Sequence, residues 1–192
     1  MAPLEKGEVD QHRLKKLVKS AAHGDEEAAG LLFDIYHPRV YRYSLAKLGD
    51  APAAEDIASE TFARVLRDLG RFTWRGAGFE AWLFRIASNL VLDHLRAGRR
   101  EHPAEDVEFA ETAELRTPEW AVLEGETTRE LNGLLATLSD EQREVLLLRF
   151  AGGLSTNEVG AVTGRKPNAV RQMQFRALEQ LRARLAHGAH RA

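Results

Sequence analysis

The sequence predicts an all-α fold made of two small helical domains joined by a flexible acidic linker. Three observations predict it. Apolar residues recur at three- and four-residue spacing through most of the 192-residue chain, and no stretch shows a convincing period-two alternation. Capping residues, glycines and prolines cut this pattern into pieces of ordinary helix length. From Glu101 to about Glu126 the periodicity fades, and residues 101–130 hold 10 acidic against 2 basic residues. Such a segment buries too little apolar surface to order itself, with Trp120 to Leu123 as its one evident anchor.

The elements follow in chain order. Leu14, Leu17, Val18 and Ala21 form the first stripe, which stops at "HGDEE". Asp25 is placed to cap a second helix, with Glu26 and Glu27 near its positive dipole end. That helix carries Leu31, Leu32, Ile35, Val40 and Leu45, with a kink expected at Pro38 and an end near Gly49. "DAPAAEDIASETFARVLRDLGRF" begins a third, with Ile57, Thr61, Val65 and Leu69 on one face and Phe62 and Leu66 beside it. After the glycine-bearing loop "RFTWRGAGF", Trp82, Leu83, Ile86, Leu90 and Leu95 pack a fourth helix. Past the acidic segment, "TTRELNGLLATLSDEQREVLLLRFAGG" gives two helices broken at "LSDEQ", where Ser139 or Asp140 can cap the second. The expected organisation is an N-terminal tail and helix over 1–24, a first domain over 25–100, a linker over 101–127 and a second domain over 128–187.

Bulk properties exclude several classes. With 44% hydrophobic residues the chain can build real cores, and with no cysteine it has neither disulfides nor thiolate chemistry. The first twenty residues lack the apolar core of a signal peptide, and no run approaches a membrane span, so a cytoplasmic protein without membrane insertion is expected. Seven histidines show no metal-ligand spacing, and neither a phosphate-binding glycine loop nor a nucleophile arrangement is present. No enzyme, metal or cofactor is expected. The net charge of -2 conceals segregation: residues 165–192 hold seven basic residues against Glu179 alone. Basic blocks flanking an acidic connector fit nucleic-acid contact, although solvated helix faces would give the same count.

The segment "STNEVGAVTGRKPNAVRQMQFRALEQLRARL" reads as a helix-turn-helix. Ser155 or Thr156 caps a short helix over 157–163 that turns Val159 and Val162 inward, and Gly164 supplies the turn. Pro167 fits the first turn of the next helix. Ala169, Val170, Met173, Ala177, Leu178 and Leu181 face inward, leaving Asn168, Arg171, Gln172, Gln174 and Arg176 outward near its N-terminal half. That half of a recognition helix enters the major groove, where Arg, Asn and Gln read guanine and adenine edges.

Two stretches together carry a more specific likeness. "AED" with Phe62 six residues after Asp56, then a helix holding Trp82, Leu83, Ile86, Ala87, Asn89, Asp93 and Arg96, resembles the second domain of bacterial sigma-70 family sigma factors of the extracytoplasmic-function (ECF) group. "LATLSDEQREVLLLRFAGGLSTNEVGAVTG" with "AVRQMQFRALEQLR" resembles their fourth domain, in an actinobacterial-like variant. The likeness spans about 20–100 and 128–186. It implies binding to core RNA polymerase, through its beta and beta-prime subunits, by Asp56, Glu60 and Arg64. It implies capture of the promoter −10 element by the loop from Phe72 to Phe79 and by Asn89, Asp93, Arg96, Arg99 and Arg100. Asn89 would meet a flipped base edge, and the arginines would hold phosphates. Trp82, at helical spacing with Leu83 and Ile86, fits the core better than a stacking platform. The residues Lys166, Asn168, Arg171, Gln172, Gln174 and Arg176 would meet the −35 element. The last helix departs from the common "V-K-S-R-L-x-R-A" run, with Met173 in place of an arginine, which unsettles individual −35 base assignments. The implied partners are core polymerase, promoter DNA and an anti-sigma factor. A stand-alone helix-turn-helix regulator is the competing class, and it leaves the "AED" and "IASN" helices without a purpose.

Overall fold

The computed structural model describes residues 11–74, 76–101 and 133–188, with side chains at 99–101 and 187–188 outside the description. Among the described residues all regular structure is helical: α1 (Gln11–Ala22), α2 (Glu26–Leu48), α3 (Ala51–Asp68) continued by a 3-10 turn (Leu69–Arg71), α4 (Gly78–Glu101), a short helical stretch at 133–136, then α5 (Asp140–Phe150), α6 (Thr156–Thr163) and α7 (Pro167–Gly188). The acidic linker expectation, with the Trp120 anchor, lies outside the described residues.

Local chemistry sets the helix ends. Asp25 accepts from the Ala28 N–H at 3.0 Å, and Asp50 accepts from Ala53 at 3.2 Å, so each satisfies a donor that a helix start leaves unpaired. Gly49 closes α2 in the left-handed region, with φ 69°, and donates to the Leu45 carbonyl. Pro38 sits within α2, which runs on as one helix; Pro38 and Asp34 are both exposed, so the carbonyl that Pro38 leaves unpaired can be solvated. Ser139 and Ser155 each form a reciprocal capping box, with Gln142 and Glu158 respectively.

The first half packs α1, α2, α3 and α4 around Leu14, Leu32, Tyr36, Val40, Phe62, Val65, Leu83 and Val91. Each fully buried side chain of this size contributes about 1.5–3 kcal/mol. Thr61, inside that core, satisfies its hydroxyl on the Ile57 carbonyl at 2.7 Å. Leu66, expected on the packed edge of α3, is instead 46% exposed, and Leu31 is also exposed. The stripe that α2 and α4 cover is narrower than the apolar face of α3.

The second half folds α5, α6 and α7 around Val145, Leu148, Leu154, Val159, Val170 and Ala177. Gly164 ends α6 at φ 71°. Gly160 allows the tight approach: a Cβ there would lie 2.6 Å from the Arg165 carbonyl oxygen. The halves meet along a seam in which α4 packs on α6 and α2 on α5. Gly152, just past α5, lies so close to Phe84 that a Cβ would come within 2.8 Å of its ring. Phe84 itself packs edge-on to Tyr43 at 5.9 Å, and the buried apolar cluster runs through both halves.

Candidate nucleic-acid interface

Three surfaces hold the residues singled out above. The first is the start of α7. Lys166, Asn168, Arg171, Gln172 and Arg176 are exposed there, while Gln174 is half-buried. Arg171 Nη1 donates to Asn168 Oδ1 at 2.7 Å, so the two side chains share one orientation. Val170 and Ala177 are fully buried behind them. Arg165, just before the helix, is held by Glu141 of α5.

The second surface is α4 with the loop before it. Asn89 is exposed, as are Asp93 and Arg96, which approach each other at 3.4 Å. Arg99 and Arg100 lie on α4, but their side chains are outside the description. Phe79 departs from the expected role in contacting DNA. Its ring is 1% exposed and packs against Tyr36 at 5.4 Å, Phe72 at 5.8 Å and Trp82 at 5.9 Å. Apolar surface next to three aromatic rings gains more from burial than from water, so Phe79 anchors the loop rather than reaching out of it. Trp82 is a partly buried member of the same cluster, 4.9 Å from Phe72. Beside it opens a cleft of about 290 Å³ lined by Arg71, Phe72, Thr73, Trp82, Arg85 and, from α6, Ala161. Arg71 and Arg85 bring positive charge to that cleft. Neither was singled out in the sequence, although Arg71 opens the loop "RFTWRGAGF" and a basic residue flanking an aromatic loop is a usable signal.

The third surface is α3. Asp56 and Glu60 are exposed, and Arg64 Nε donates to Glu60 at 2.7 Å along the helix.

Between the surfaces runs the polar part of the seam. Glu144 of α5 accepts from the Tyr43 hydroxyl at 2.7 Å and from Ser88 at 3.3 Å, and pairs with Lys47 at 2.7 Å. Arg39 donates to the Gly152 carbonyl at 2.8 Å and to Glu80 at 2.6 Å. Arg85 donates to the Ala161 carbonyl. Glu158, the capping-box acid of α6, is buried on the α6 side of the seam, within electrostatic reach of Glu80 on α4. Burial first, then Glu80, raises the affinity of Glu158 for its proton, against the opposing hydrogen bonds from Ser155. At Glu80 burial also favours the proton, but the Arg39 guanidinium beside it prevails and holds it below the ordinary value. Burial and neighbouring carboxylates push the Tyr36 and Tyr43 hydroxyls upward, so both remain neutral. None of these seam partners was legible as a pair in the sequence, since Glu80 and Glu158 lie in different halves. No cluster of metal-ligating side chains and no helix long and apolar enough to cross a membrane occurs among the described residues.

Comparison with known proteins places these surfaces in context. Residues 32–101 match the family model for Sigma-70 region 2, and residues 134–183 match Sigma-70, region 4. The chain is 40% identical over 173 residues to the ECF RNA polymerase sigma factor BldN of Streptomyces coelicolor, covering 90% of this chain and 66% of that relative. It is 36% identical over 176 residues to the ECF RNA polymerase sigma factor SigD of Mycobacterium tuberculosis, covering 88% of this chain and 82% of the relative. Among solved structures, CnrH in complex with the cytosolic domain of CnrY aligns with a TM-score of 0.68 at 25% identity, over 90% of this chain and 97% of that one. The sigma factor RpoE of Bartonella quintana, in complex with the anti-sigma factor NepR, shares the fold with a TM-score of 0.65 at 23% identity, over 82% of this chain and 96% of that one.

Proposed function

The chain belongs to the ECF group of sigma-70 family RNA polymerase sigma factors, and from that premise we propose how its three surfaces divide promoter recognition. The exposed start of α7 enters the major groove of the −35 element. There Arg171, with Asn168 and Gln172, reads base edges, and Lys166 and Arg176 hold phosphates. The α4 face takes the −10 element, with Asn89 offering both a donor and an acceptor to an unstacked base. Arg96, Arg99 and Arg100 position its backbone. The acidic face of α3, with Asp56 and Glu60, docks on core polymerase. Regulation comes in trans from an anti-sigma factor that covers polymerase-binding faces, and the protein works in the cytoplasm.

One observation carries the reading: Asn168, Arg171 and Gln172 stand exposed at the start of a helix whose opposite side is buried by α5 and α6. A stand-alone regulator would use α7 alike but would need neither the α3 nor the α4 surface. In vitro transcription with core polymerase and genomic fragments, with start sites mapped, separates the two. Specific starts that depend on this protein and share −10 and −35 elements support the reading. DNA binding that is strong without core, combined with no specific initiation, overturns it.

A further inference from the structure

We propose that the basic face of α1 is a further DNA-backbone surface, which holds phosphates of the promoter strand where that strand runs out of the α4 cleft. This rests on the −10 assignment above and adds an element to it. The match to Sigma-70 region 2 begins at residue 32, beyond the end of α1, so it assigns that helix no part.

The helix, QHRLKKLVKSAA, carries Arg13, Lys15, Lys16 and Lys19 and not one acidic residue. Leu14 and Val18 are buried and fix α1 on the core. At 3.6 residues per turn the four cations fall outside that stripe, and all four are exposed. Their spacing works against the helix. Arg13 lies in the first turn, near the positive end of the helix dipole. Lys15 with Lys19 stands four residues apart, and Lys16 stands three from Arg13 and three from Lys19, the separations at which like charges repel. A face that served solvation alone would alternate the two signs along those rows. A polyanion lying along α1 sets each of these cations against an opposite charge.

The same face leads directly to the cleft. Lys15 Nζ lies 5.3 Å from the centre of a Trp74 ring, a cation–π contact. Trp74 packs edge-on to Phe72 at 5.7 Å, and Phe72 lies 4.9 Å from Trp82. Phe72 and Trp82 are walls of the α4 cleft, which Arg71 and Arg85 also line. α1 packs as well on the 3-10 turn Leu69–Arg71 that opens the loop. The cations of α1 therefore continue, through a row of three aromatic rings, the surface assigned to the −10 element. Rings beside cations suit an unpaired strand, because rings accept base faces and cations accept phosphates. Lys15 and Lys19 stand one turn apart, about 6 Å along the axis, so α1 presents a line of charge to the backbone and no means of reading bases.

Lys16→Gln with Lys19→Gln removes two of these charges and leaves the Trp74 contact, Leu14 and Val18 in place. Holoenzyme assembled from core polymerase and the full chain is titrated with a promoter fragment taken from the mapped starts, from about 50 to about 200 mM salt. Loss of two phosphate contacts should lower the salt slope by about 1.4–1.8, so the affinity that wild type loses across this range should exceed the loss in the variant by about tenfold. Preference at the −10 bases, retention of core in a pull-down and the melting temperature should all match wild type. Lys16→Arg with Lys19→Arg should keep the wild-type slope. A photoreactive side chain placed at position 16 should attach to promoter DNA beside the −10 element. An unchanged slope in the folded glutamine variant overturns the proposal, as does attachment to polymerase alone, which would make α1 a core-binding face. If wild-type holoenzyme shows no preference for −10 and −35 elements, the promoter reading fails and the role of α1 falls with it. If that preference is present and the variant keeps the wild-type slope, only the role of α1 fails.

Discussion

Asn89 stands on the exposed side of α4, outside the core, where the role proposed for it toward the −10 element needs it. Asn89→Ala should therefore leave stability within about 0.5 kcal/mol of wild type, as for an exposed position without special contacts. Transcription from linear duplex promoters should fall while core binding persists, and the preference for the captured −10 base should relax. A lowered melting temperature with unchanged base preference would make Asn89 structural. Arg171 poses the matching question on α7. Its contact with Asn168 points the guanidinium along the helix start, which suits bidentate contact with guanine. Arg171→Ala should cost about 1–3 kcal/mol and relax preference at one −35 position, whereas Lys166→Ala should weaken all sequences alike and lower the salt slope by about one unit. Binding of the full chain with core to a panel of single-base −35 variants, at two salt concentrations, reads both. At this scale the sequence was informative about exposed polar residues on strongly patterned helices. It misled at Phe79, because an aromatic residue beside a glycine-bearing loop looks the same whether the fold turns it out or buries it under Tyr36.

Helix boundaries were legible because their causes are local. Asp25, Asp50, Ser139 and Ser155 each act on an N–H three residues away, so a short window contains both partners. Ser155→Ala should cost about 1 kcal/mol, read as a lower midpoint in urea at unchanged slope. Gly160 is the stricter case within the same helix-turn-helix. A methyl group there would meet the Arg165 carbonyl oxygen at 2.6 Å, a backbone atom that cannot rotate away. Gly160→Ala should therefore cost about 1–3 kcal/mol despite its better helix propensity. On α3 the exposed acids allow a functional prediction that should spare stability. Asp56→Arg reverses charge at an exposed position of α3, on the side where Glu60 pairs with Arg64, so the variant should melt like wild type yet lose retention of core polymerase in a pull-down without DNA. Equal retention would move the polymerase contact off this face.

At the scale of the molecule, the two family matches fall on separate blocks, yet the apolar cluster and the polar seam make those blocks touch. Nothing in a single sequence pairs Lys47 with Glu144 or Gly152 with Phe84, because such pairing depends on how finished helices dock, not on periodicity within them. Glu144 is the most connected seam residue, with the Lys47 ammonium and two hydroxyls converging on one carboxylate. The Lys47 and Glu144 side chains are 13% and 18% exposed, so salt screens their pair little, and removing one partner leaves the other stranded. Were the halves unable to part, Glu144→Ala would cost about 3–5 kcal/mol of global stability. If the halves part instead, Lys47 and Tyr43 recover water by opening the seam, and the penalty appears as separation rather than unfolding. Helicity by circular dichroism should then match wild type, while the radius of gyration from small-angle scattering should rise above the roughly 16 Å of a compact chain of this length by more than it does for wild type. Glu144→Gln, which keeps an acceptor for Tyr43 and Ser88 but not the charge facing Lys47, should fall between the two. Scattering identical to wild type, with a single melting transition shifted down by the full penalty, would mean that the halves form one inseparable unit.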